Sequence, residues 1–337
     1  MAQESETFPR GLIIHERFRL GALRARGGMA SIYEGTEIAT DRHVAIKFLK
    51  RELLKNKDMV AMFRAEAEAL EKLDHPNIIR GLGSGMFGGS HYIVMEFVSG
   101  PTLRERLKWG RPERDEALSI LRQAAAGLDH AHSRGVIHRD IKPDNFILDK
   151  NVVRIADFGI AQVGKRDSES GTETSGVGGT VIYSAPEQFT EGGRVNPATD
   201  VYSLGILAYE MFTGQTPFTG YKPASTLNHQ VPRAADAILE RAFHETPEER
   251  FSSASAFAQA LEAAIRAFAP DSTPSRSLEL LTPPEPIKAV VSDRPPSPNR
   301  TEPDPRSTGA PWVLLIVVLL ALAATVAWLA GIGPFGR

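Results

Sequence analysis

The first third of the chain alternates short apolar or β-branched runs with turn-forming residues, a pattern typical of β-strands. These runs occupy residues 19–23, 31–35, 44–49, 79–83 and 91–97. One stretch of helical periodicity, residues 59–73, interrupts them. Because the runs are short and separated by turns, we predict an antiparallel sheet with one helix packed on it.

Beyond residue 100 the periodicity becomes mostly helical. Thr102, followed three residues later by Glu105, is the sequence signature of a capping box. Residues 201–212 are apolar on nearly every face, which predicts a buried helix. Another helix is indicated before Gly135 by apolar residues at helical spacing, Leu118, Leu121, Ala125 and Leu128. We therefore predict an α+β fold with a small sheet lobe, a larger helical lobe, and a ligand-binding cleft between them.

The composition changes abruptly near the C-terminus. Residues 270–311 hold 11 of the 23 prolines and show no apolar periodicity, which predicts a disordered linker over residues 269–311. Residues 312–330 then contain no charged side chain and are rich in Leu, Val, Ile and Ala. A helix of that length is about 28 Å long, close to the hydrocarbon thickness of a bilayer. We predict one transmembrane helix there rather than a buried core helix.

Charged residues around this span predict its orientation. Arg294, Arg300 and Arg306 precede the span, whereas only Arg337 follows it. Since basic residues favour the cytoplasmic side, we expect the large N-terminal part in the cytoplasm, a single pass through the cell membrane, and residues 331–337 outside. The first residues lack the basic and then apolar plan of a signal peptide.

The overall composition excludes several classes of function. The chain has 39 Lys+Arg against 41 Asp+Glu, a formal charge of −2, so it lacks the basic excess of a nucleic-acid-binding protein. We predict no nucleic-acid partner. The absence of cysteine excludes disulfide scaffolds, cysteine-ligated metal centres and thiol nucleophiles.

One segment contains several residues whose side chains could take part in catalysis. It reads His138-Arg139-Asp140-Ile141-Lys142-Pro143-Asp144-Asn145, and Asp157-Phe158-Gly159 begins twelve residues after Asn145. Acids, a lysine and an amide gathered on loops fit poorly in a hydrophobic core but well around a nucleoside triphosphate. Phosphoryl transfer needs cations near the phosphates, oxygen ligands for Mg²⁺, and a carboxylate that orients the attacking hydroxyl. Asp140, Lys142, Asn145 and Asp157 would supply these groups.

With Val44-Ala45-Ile46-Lys47 before this segment and Ala185-Pro186-Glu187 after it, the chain resembles the protein kinase superfamily over residues 18–268. The runs Arg-Gly-Gly-Met and Leu-Asp-His-Pro-Asn-Ile resemble the bacterial, eukaryotic-like (Hanks-type) Ser/Thr kinases, which are often single-pass membrane proteins. The resemblance implies a bilobal protein kinase fold. We accordingly divide the chain into an N-terminal tail (1–14), an N-lobe (15–97) and a C-lobe (98–268).

The resemblance implies that Lys47 contacts the α- and β-phosphates of ATP and pairs with a glutamate on the first helix. Glu66, Glu68 and Glu71 are the candidates. At 100° per residue Glu66 lies at the edge of the inward stripe, whereas Glu68 points about 140° away from Phe63. We therefore predict that Glu66 is the partner; an ordinary surface salt bridge is the alternative.

Further roles follow from the same resemblance. Asp140 would be the catalytic base, Lys142 would steady the γ-phosphate, and Asn145 and Asp157 would bind Mg²⁺, with Mn²⁺ as the alternative ion. The backbone of residues 95–98, chiefly Glu96 and Val98, would meet adenine, with Met95 as gatekeeper. A structural ion pair is expected between Glu187 and Arg250, and Asp200 would anchor the catalytic loop.

The glycine-rich loop departs from the family pattern. The family's G-x-G-x-x-G becomes Ala25-Arg26-Gly27-Gly28-Met29-Ala30, so only the middle glycine, Gly27, is retained, with Gly28 beside it. Glycine allows backbone amides to approach phosphate, so we expect Gly27 and Gly28 to contact the nucleotide and the alanines to weaken binding. A weakly active kinase or a pseudokinase scaffold is the alternative function.

Residues 160–184 are rich in Ser, Thr and Gly, as expected of a surface loop. In the family this is the activation loop, and we predict autophosphorylation of Thr172 and Thr174, with Arg139 binding the phosphate. This loop and the Ala-Pro-Glu segment favour protein Ser/Thr substrates over the alternative, a small-molecule phosphotransferase. Whether the chain forms a homodimer for phosphorylation in trans is left open.

Overall fold

The computed structural model describes residues 8–158 and 181–268. The small lobe is a six-stranded antiparallel sheet with strand order β1-β2-β3-β4-β6-β5. Its strands are β1 (Ile13–Ile14), β2 (Phe18–Arg26), β3 (Ala30–Glu37), β4 (Arg42–Leu49), β5 (Gly81–Phe87) and β6 (Ser90–Glu96). The predicted antiparallel sheet is confirmed, although the short β1 at its edge was not predicted.

One helix, α1 (Lys57–Glu71), packs on this sheet as predicted. The side chain of Asn56 accepts hydrogen bonds from the backbone of Asp58 and Met59, which caps the helix at its N-terminus. The buried residues Phe63, Ala67 and Leu70 recur at helical spacing and face the sheet. The helix therefore begins and ends two residues before the predicted range.

The large lobe is built mainly from helices. These are α2 (Leu103–Leu107), α3 (Arg114–His132), α4 (Pro197–Thr213), α5 (Ala224–Leu227), α6 (Arg233–Ala242) and α7 (Ala254–Phe268). The predicted capping box of Thr102 and Glu105 opens α2. Helix α4 is buried on nearly every face, as predicted, and ends at Gly214, whose φ of 79° is the left-handed conformation that favours glycine.

A two-stranded hairpin, β7 (Phe146–Asp149) and β8 (Val152–Ile155), lies between α3 and α4 and was not predicted. It joins the lobes, because the segment that follows α1 pairs with it. Asn77 accepts a hydrogen bond at its backbone oxygen from Ile155 N (2.9 Å), and its side-chain amide donates to Val153 O (3.0 Å). The hairpin thus holds the segment that follows α1 against the large lobe.

Among the described helices, none combines the length and the apolar character needed to cross a bilayer. The predicted linker (269–311) and transmembrane span (312–330) lie outside the described residues.

Candidate active site

The side chain of Lys47 lies at the centre of the cleft between the lobes. Lys47 stands on β4, between β3 and β6, where the pairing of both neighbours fixes its backbone. Its Nζ donates to Glu66 Oε1 at 2.7 Å and to Asp157 Oδ1 at 2.8 Å. Glu66, the glutamate selected from the sequence, is thus the partner on α1. Since the Glu66 side chain is only 3% exposed, the surface salt bridge considered as the alternative is wrong.

The electrostatics of the site favour the charged forms of Lys47 and Asp157. Burial opposes the ammonium of Lys47, but the attraction of Asp157 and Glu66 outweighs it and raises the pKa of Lys47. The positive charge of Lys47 in turn lowers the pKa of Asp157. For Glu66, burial is the strongest effect and raises its pKa, while the contact with Lys47 opposes that rise. The ammonium group of Lys47 is thus held between two carboxylates in the cleft.

Asp140, Lys142 and Asn145 form a second group on the loop after α3. Lys142 Nζ lies 2.8 Å from Asp140 Oδ2. Asn145 Nδ2 donates to Asp140 Oδ2 (3.0 Å) and to the Asp140 backbone oxygen (2.7 Å). These contacts hold the carboxylate of Asp140 in one orientation, and they leave Asn145 Oδ1 as the amide's acceptor for a cation.

The backbone of this loop is anchored by hydrogen bonds to Asp200. Asp200, on α4, is fully buried and accepts hydrogen bonds from His138 N (2.9 Å) and Arg139 N (2.8 Å). It also accepts one from His132 Nε2 at 2.7 Å. Burial would raise the pKa of Asp200, but the His132 hydrogen bond and the nearby imidazoles lower it. The loop-anchoring position predicted for Asp200 matches these contacts, and His132 is a partner that the sequence analysis missed.

Two residues of the loops adopt the left-handed conformation although they are not glycine. Arg139 has φ 66° and Asp157 has φ 52°. Such values are uncommon for non-glycine residues, and they concentrate at functional sites. Each lies beside a group discussed above, since Arg139 precedes Asp140 and Asp157 contacts Lys47.

The residue after Asp157 ties its loop to the loop of Asp140. Phe158 is completely buried, and its ring centre lies 4.6 Å from that of His138. His138 donates from Nε2 to Ala156 O (3.0 Å) and accepts at Nδ1 from Asp140 N (3.2 Å). The two acid-bearing loops are therefore fixed to each other through one imidazole.

The turn between β2 and β3 contains the altered glycine segment. Gly27 N donates to Ala30 O at 2.9 Å, which closes the turn. Ala30 is 6% exposed and packs in the main hydrophobic core. Its methyl group therefore lies in the lobe interior. Gly28 has open space around the position of an added Cβ, so the room for a ligand at this turn is preserved.

The predicted adenine-binding segment begins with the last two residues of β6. Met95 is buried and pairs with Ala45 on one side and Gly81 on the other, so it belongs to the core of the sheet. Glu96 donates its backbone N–H to Arg80 O at 3.0 Å. Val98 lies just beyond the strand and packs against the core. Residues 95–98 thus connect the sheet to the large lobe.

Two polar clusters support the large lobe. Arg250 makes the predicted ion pair with Glu187 in a bidentate fashion, at 2.7 and 2.9 Å. Sequence reasoning missed the second cluster, in which Arg104 contacts Glu210 (2.9 Å), Tyr183 (2.7 Å) and Asp144 (3.3 Å). The acidic residue within the otherwise apolar run 201–212 was the signal that could have revealed it.

The donor set at the cleft fits a magnesium ion bound with its nucleotide. Within the described part of the chain, no three His, Asp or Glu side chains are grouped so that they could hold a metal by themselves. Mg²⁺ commonly takes one or two protein oxygens and completes its shell with phosphate and water, so Asn145 and Asp157 suffice. The predicted phosphosites, Thr172 and Thr174, lie outside the described residues.

Comparison with known proteins agrees with this geometry. The family model described as the protein kinase domain matches residues 20–271. The chain is 32% identical over 347 residues to the serine/threonine-protein kinase PrkC of Bacillus subtilis, covering 93% of this chain and 52% of PrkC. It is 35% identical over 261 residues to PknB of Mycobacterium leprae, covering 72% of this chain and 42% of PknB. The chain thus spans about half the length of these curated relatives.

The solved kinase domain of Mycobacterium tuberculosis PknI is similar in fold. It superimposes with a TM-score of 0.64 at 25% sequence identity, covering 77% of this chain and 99% of that domain. The family match extends over most of the chain and includes both loops of the cleft. The chain therefore belongs to the protein kinase family, with Hanks-type bacterial Ser/Thr kinases among its relatives.

Proposed function

We propose that this chain is an ATP-dependent protein kinase that transfers the γ-phosphoryl group to Ser or Thr hydroxyls of proteins. The observation that carries the proposal is the assembled cleft, in which Lys47 bridges Glu66 and Asp157 while Asp140 is held by Lys142 and Asn145. The relatives named serine/threonine-protein kinase support the same activity.

Each of these residues would have a separate role in the reaction. The hydroxyl oxygen of the substrate forms a bond to the γ-phosphorus as the bond to the β-phosphate oxygen breaks and ADP leaves. Asp140 orients the hydroxyl and accepts its proton, and Lys142 offsets the charge on the transferred group. Lys47 contacts the phosphates of the nucleotide. Mg²⁺, held by Asn145 and Asp157, would neutralise phosphate charge when bound.

Replacement of the acid that contacts Lys47 tests this proposal. We expect Asp157→Asn to abolish transfer of radioactive phosphate from ATP to a protein substrate, because the amide cannot neutralise Lys47 or bind the cation as a carboxylate does. Asp41→Asn is a matched control, since Asp41 is exposed and also has a left-handed backbone, with φ 53°. A wild-type chain that transfers no phosphate, or an Asp157→Asn variant as active as wild type, would refute the proposal.

The same assay separates a kinase from a pseudokinase scaffold. The altered glycine segment is the feature that favours a scaffold. However, the buried methyl group of Ala30 and the open space at Gly28 argue that the turn still admits a nucleotide. A scaffold would show wild type and Asp157→Asn at the same background rate.

Phosphorylation of Thr172 and Thr174 is proposed as the switch that activates the kinase. Among the described residues, Arg139 makes no ion pair and its buried Nε has no hydrogen-bond partner, so its guanidinium can donate hydrogen bonds to a phosphate. Replacing both threonines with Ala should remove phosphate from that peptide in mass spectra and lower activity toward protein substrates. Unchanged rates would exclude the switch.

We also propose that residues 312–330 anchor the chain in the cell membrane, with the kinase domain on the cytoplasmic side. The uncharged, apolar composition of the segment supports this proposal. Deleting residues 312–337 should move the chain from the membrane fraction to the soluble fraction, and continued sedimentation with membranes would contradict it. If two copies phosphorylate each other, the initial autophosphorylation rate per molecule should rise with enzyme concentration.

A further inference from the structure

Gly81, the first residue of β5, lies where α1 meets the sheet. A Cβ added to Gly81 would lie 3.0 Å from Leu70 Cβ and 3.3 Å from the backbone carbon and oxygen of Leu70. These separations are shorter than an ordinary contact between a methyl group and its neighbours. The helix and the strand therefore touch almost backbone to backbone at this point, and no side chain fits between them.

Space, rather than backbone conformation, is what requires glycine at this position. Gly81 is not among the residues with a positive φ, so an alanine there would suffer no backbone strain. Gly83 in the same strand is the opposite case, because its φ is 145° but nothing lies within 4 Å of an added Cβ. The two glycines separate the effect of a close approach from that of a special backbone conformation.

The close approach is one helical turn from the catalytic ion pair. Leu70 follows Glu66 by four residues, so both lie on the same side of α1. Both are buried, and Glu66 Oε1 lies 2.7 Å from Lys47 Nζ. A helix displaced outward at Leu70 would carry the carboxylate of Glu66 away from Lys47.

The chain after α1 limits how such a displacement can be relieved. Asn77 is held to the large lobe by Val153 O (3.0 Å), Gln123 Oε1 (2.9 Å) and Ile155 N (2.9 Å). Because the segment after α1 is fixed in this way, a side chain added at Gly81 would tilt or shift the whole helix relative to the sheet.

We propose that Gly81 is a positioning residue for phosphoryl transfer. Its missing side chain sets how deeply α1 packs on the sheet, and that depth allows Glu66 to reach Lys47. The inference rests on the proposed kinase activity, and it adds a residue that contacts neither nucleotide nor substrate.

The test is a pair of substitutions in the full-length chain, with steady-state kinetics in ATP. We expect Gly81→Ala to lower kcat/KM for ATP about three- to tenfold, since a shift of a few tenths of an ångström at a reacting group has effects of this order. The melting temperature should fall only slightly, because the lower freedom of the unfolded chain offsets part of the cost of moving the helix. Gly81→Val should lower kcat/KM further.

A double-mutant cycle with Glu66→Gln decides whether Gly81 acts through the ion pair. In the Glu66→Gln background, Gly81→Ala should change kcat/KM less than twofold, because the charged pair that it disturbs is already lost. Gly83→Ala should lower the melting temperature through backbone strain, and its kinetic effect should add to that of Glu66→Gln. Ser84→Ala, an exposed position on β5, should change neither quantity.

Two results would overturn the proposal: wild-type kcat/KM in Gly81→Ala, or a Gly81→Ala loss that is fully additive with Glu66→Gln. Absence of phosphate transfer in the wild-type chain would instead refute the proposed function. In that case the same cycle is measured as the dissociation constant of a fluorescent ATP analogue with Mg²⁺. Additive changes in that constant, or none, would then overturn the role of Gly81.

Discussion

Loss of the carboxylate of Glu66 is the perturbation whose outcome the structure predicts most fully. The change Glu66→Gln keeps the size of the side chain and a neutral hydrogen bond but removes the charge. At the 2.7 Å separation of Lys47 Nζ and Glu66 Oε1, the direct attraction is about 6 kcal/mol with an effective dielectric constant of about 20. Most of it is offset, because the amide still accepts a hydrogen bond and Lys47 keeps Asp157 at 2.8 Å.

What remains is close to the value of one hydrogen bond to a charged group, about 2–3 kcal/mol of transition-state stabilisation. We therefore expect Glu66→Gln to lower kcat/KM for ATP about 30- to 150-fold. The free energy of unfolding should fall by less than about 3 kcal/mol, the lower bound for breaking a buried ion pair, since Lys47 keeps Asp157 as a partner and the desolvation cost of the Glu66 carboxylate is removed. Activity would thus fall while the fold persists.

Initial rates of phosphate transfer over a range of ATP concentrations measure the first quantity, and urea denaturation measures the second. Glu68→Gln is the matched control, because Glu68 lies two residues further along α1 with its side chain exposed. Full activity in Glu66→Gln, or an equal loss in Glu68→Gln, would refute the assignment of Glu66 as the partner of Lys47.

Two further predictions concern stability. Arg250→Lys should lower the free energy of unfolding by about 2–4 kcal/mol, because lysine cannot make the bidentate contact with Glu187 or replace the other buried hydrogen bonds of the guanidinium; a urea midpoint equal to that of wild type would contradict this. The pKa values of His75 and His130 are lowered in the folded chain, chiefly by burial. Below about pH 6.5 the unfolded chain therefore binds more protons than the folded chain, and the free energy of unfolding should decrease as the pH decreases. His130→Gln should weaken this pH dependence, whereas His229→Gln should not. Equal slopes of the free energy of unfolding against pH in both variants would show that His75 and His130 do not cause it.

The sequence by itself determined the local elements and most of the residues that line the cleft. Apolar spacing within one segment decides which face of a helix turns inward, so Glu66 could be chosen over Glu68 without a structure. The motifs around Asp140 and Asp157 likewise predicted a phosphate-binding site, because acids, a lysine and an amide grouped on loops fit poorly in a hydrophobic core and well around a nucleoside triphosphate. The capping box at Thr102 and the buried character of α4 are also local, and both are found as predicted.

Only the tertiary structure decided how distant segments meet. Lys47 and Asp157 are 110 residues apart in sequence, and their 2.8 Å contact depends on the packing of both lobes. The cluster around Arg104 and the hairpin β7–β8 depend equally on partners from elsewhere in the chain. At Gly81, nothing in the sequence distinguishes a close approach from an ordinary turn glycine. That distinction arises because the space beside a glycine is set by whichever helix packs on it.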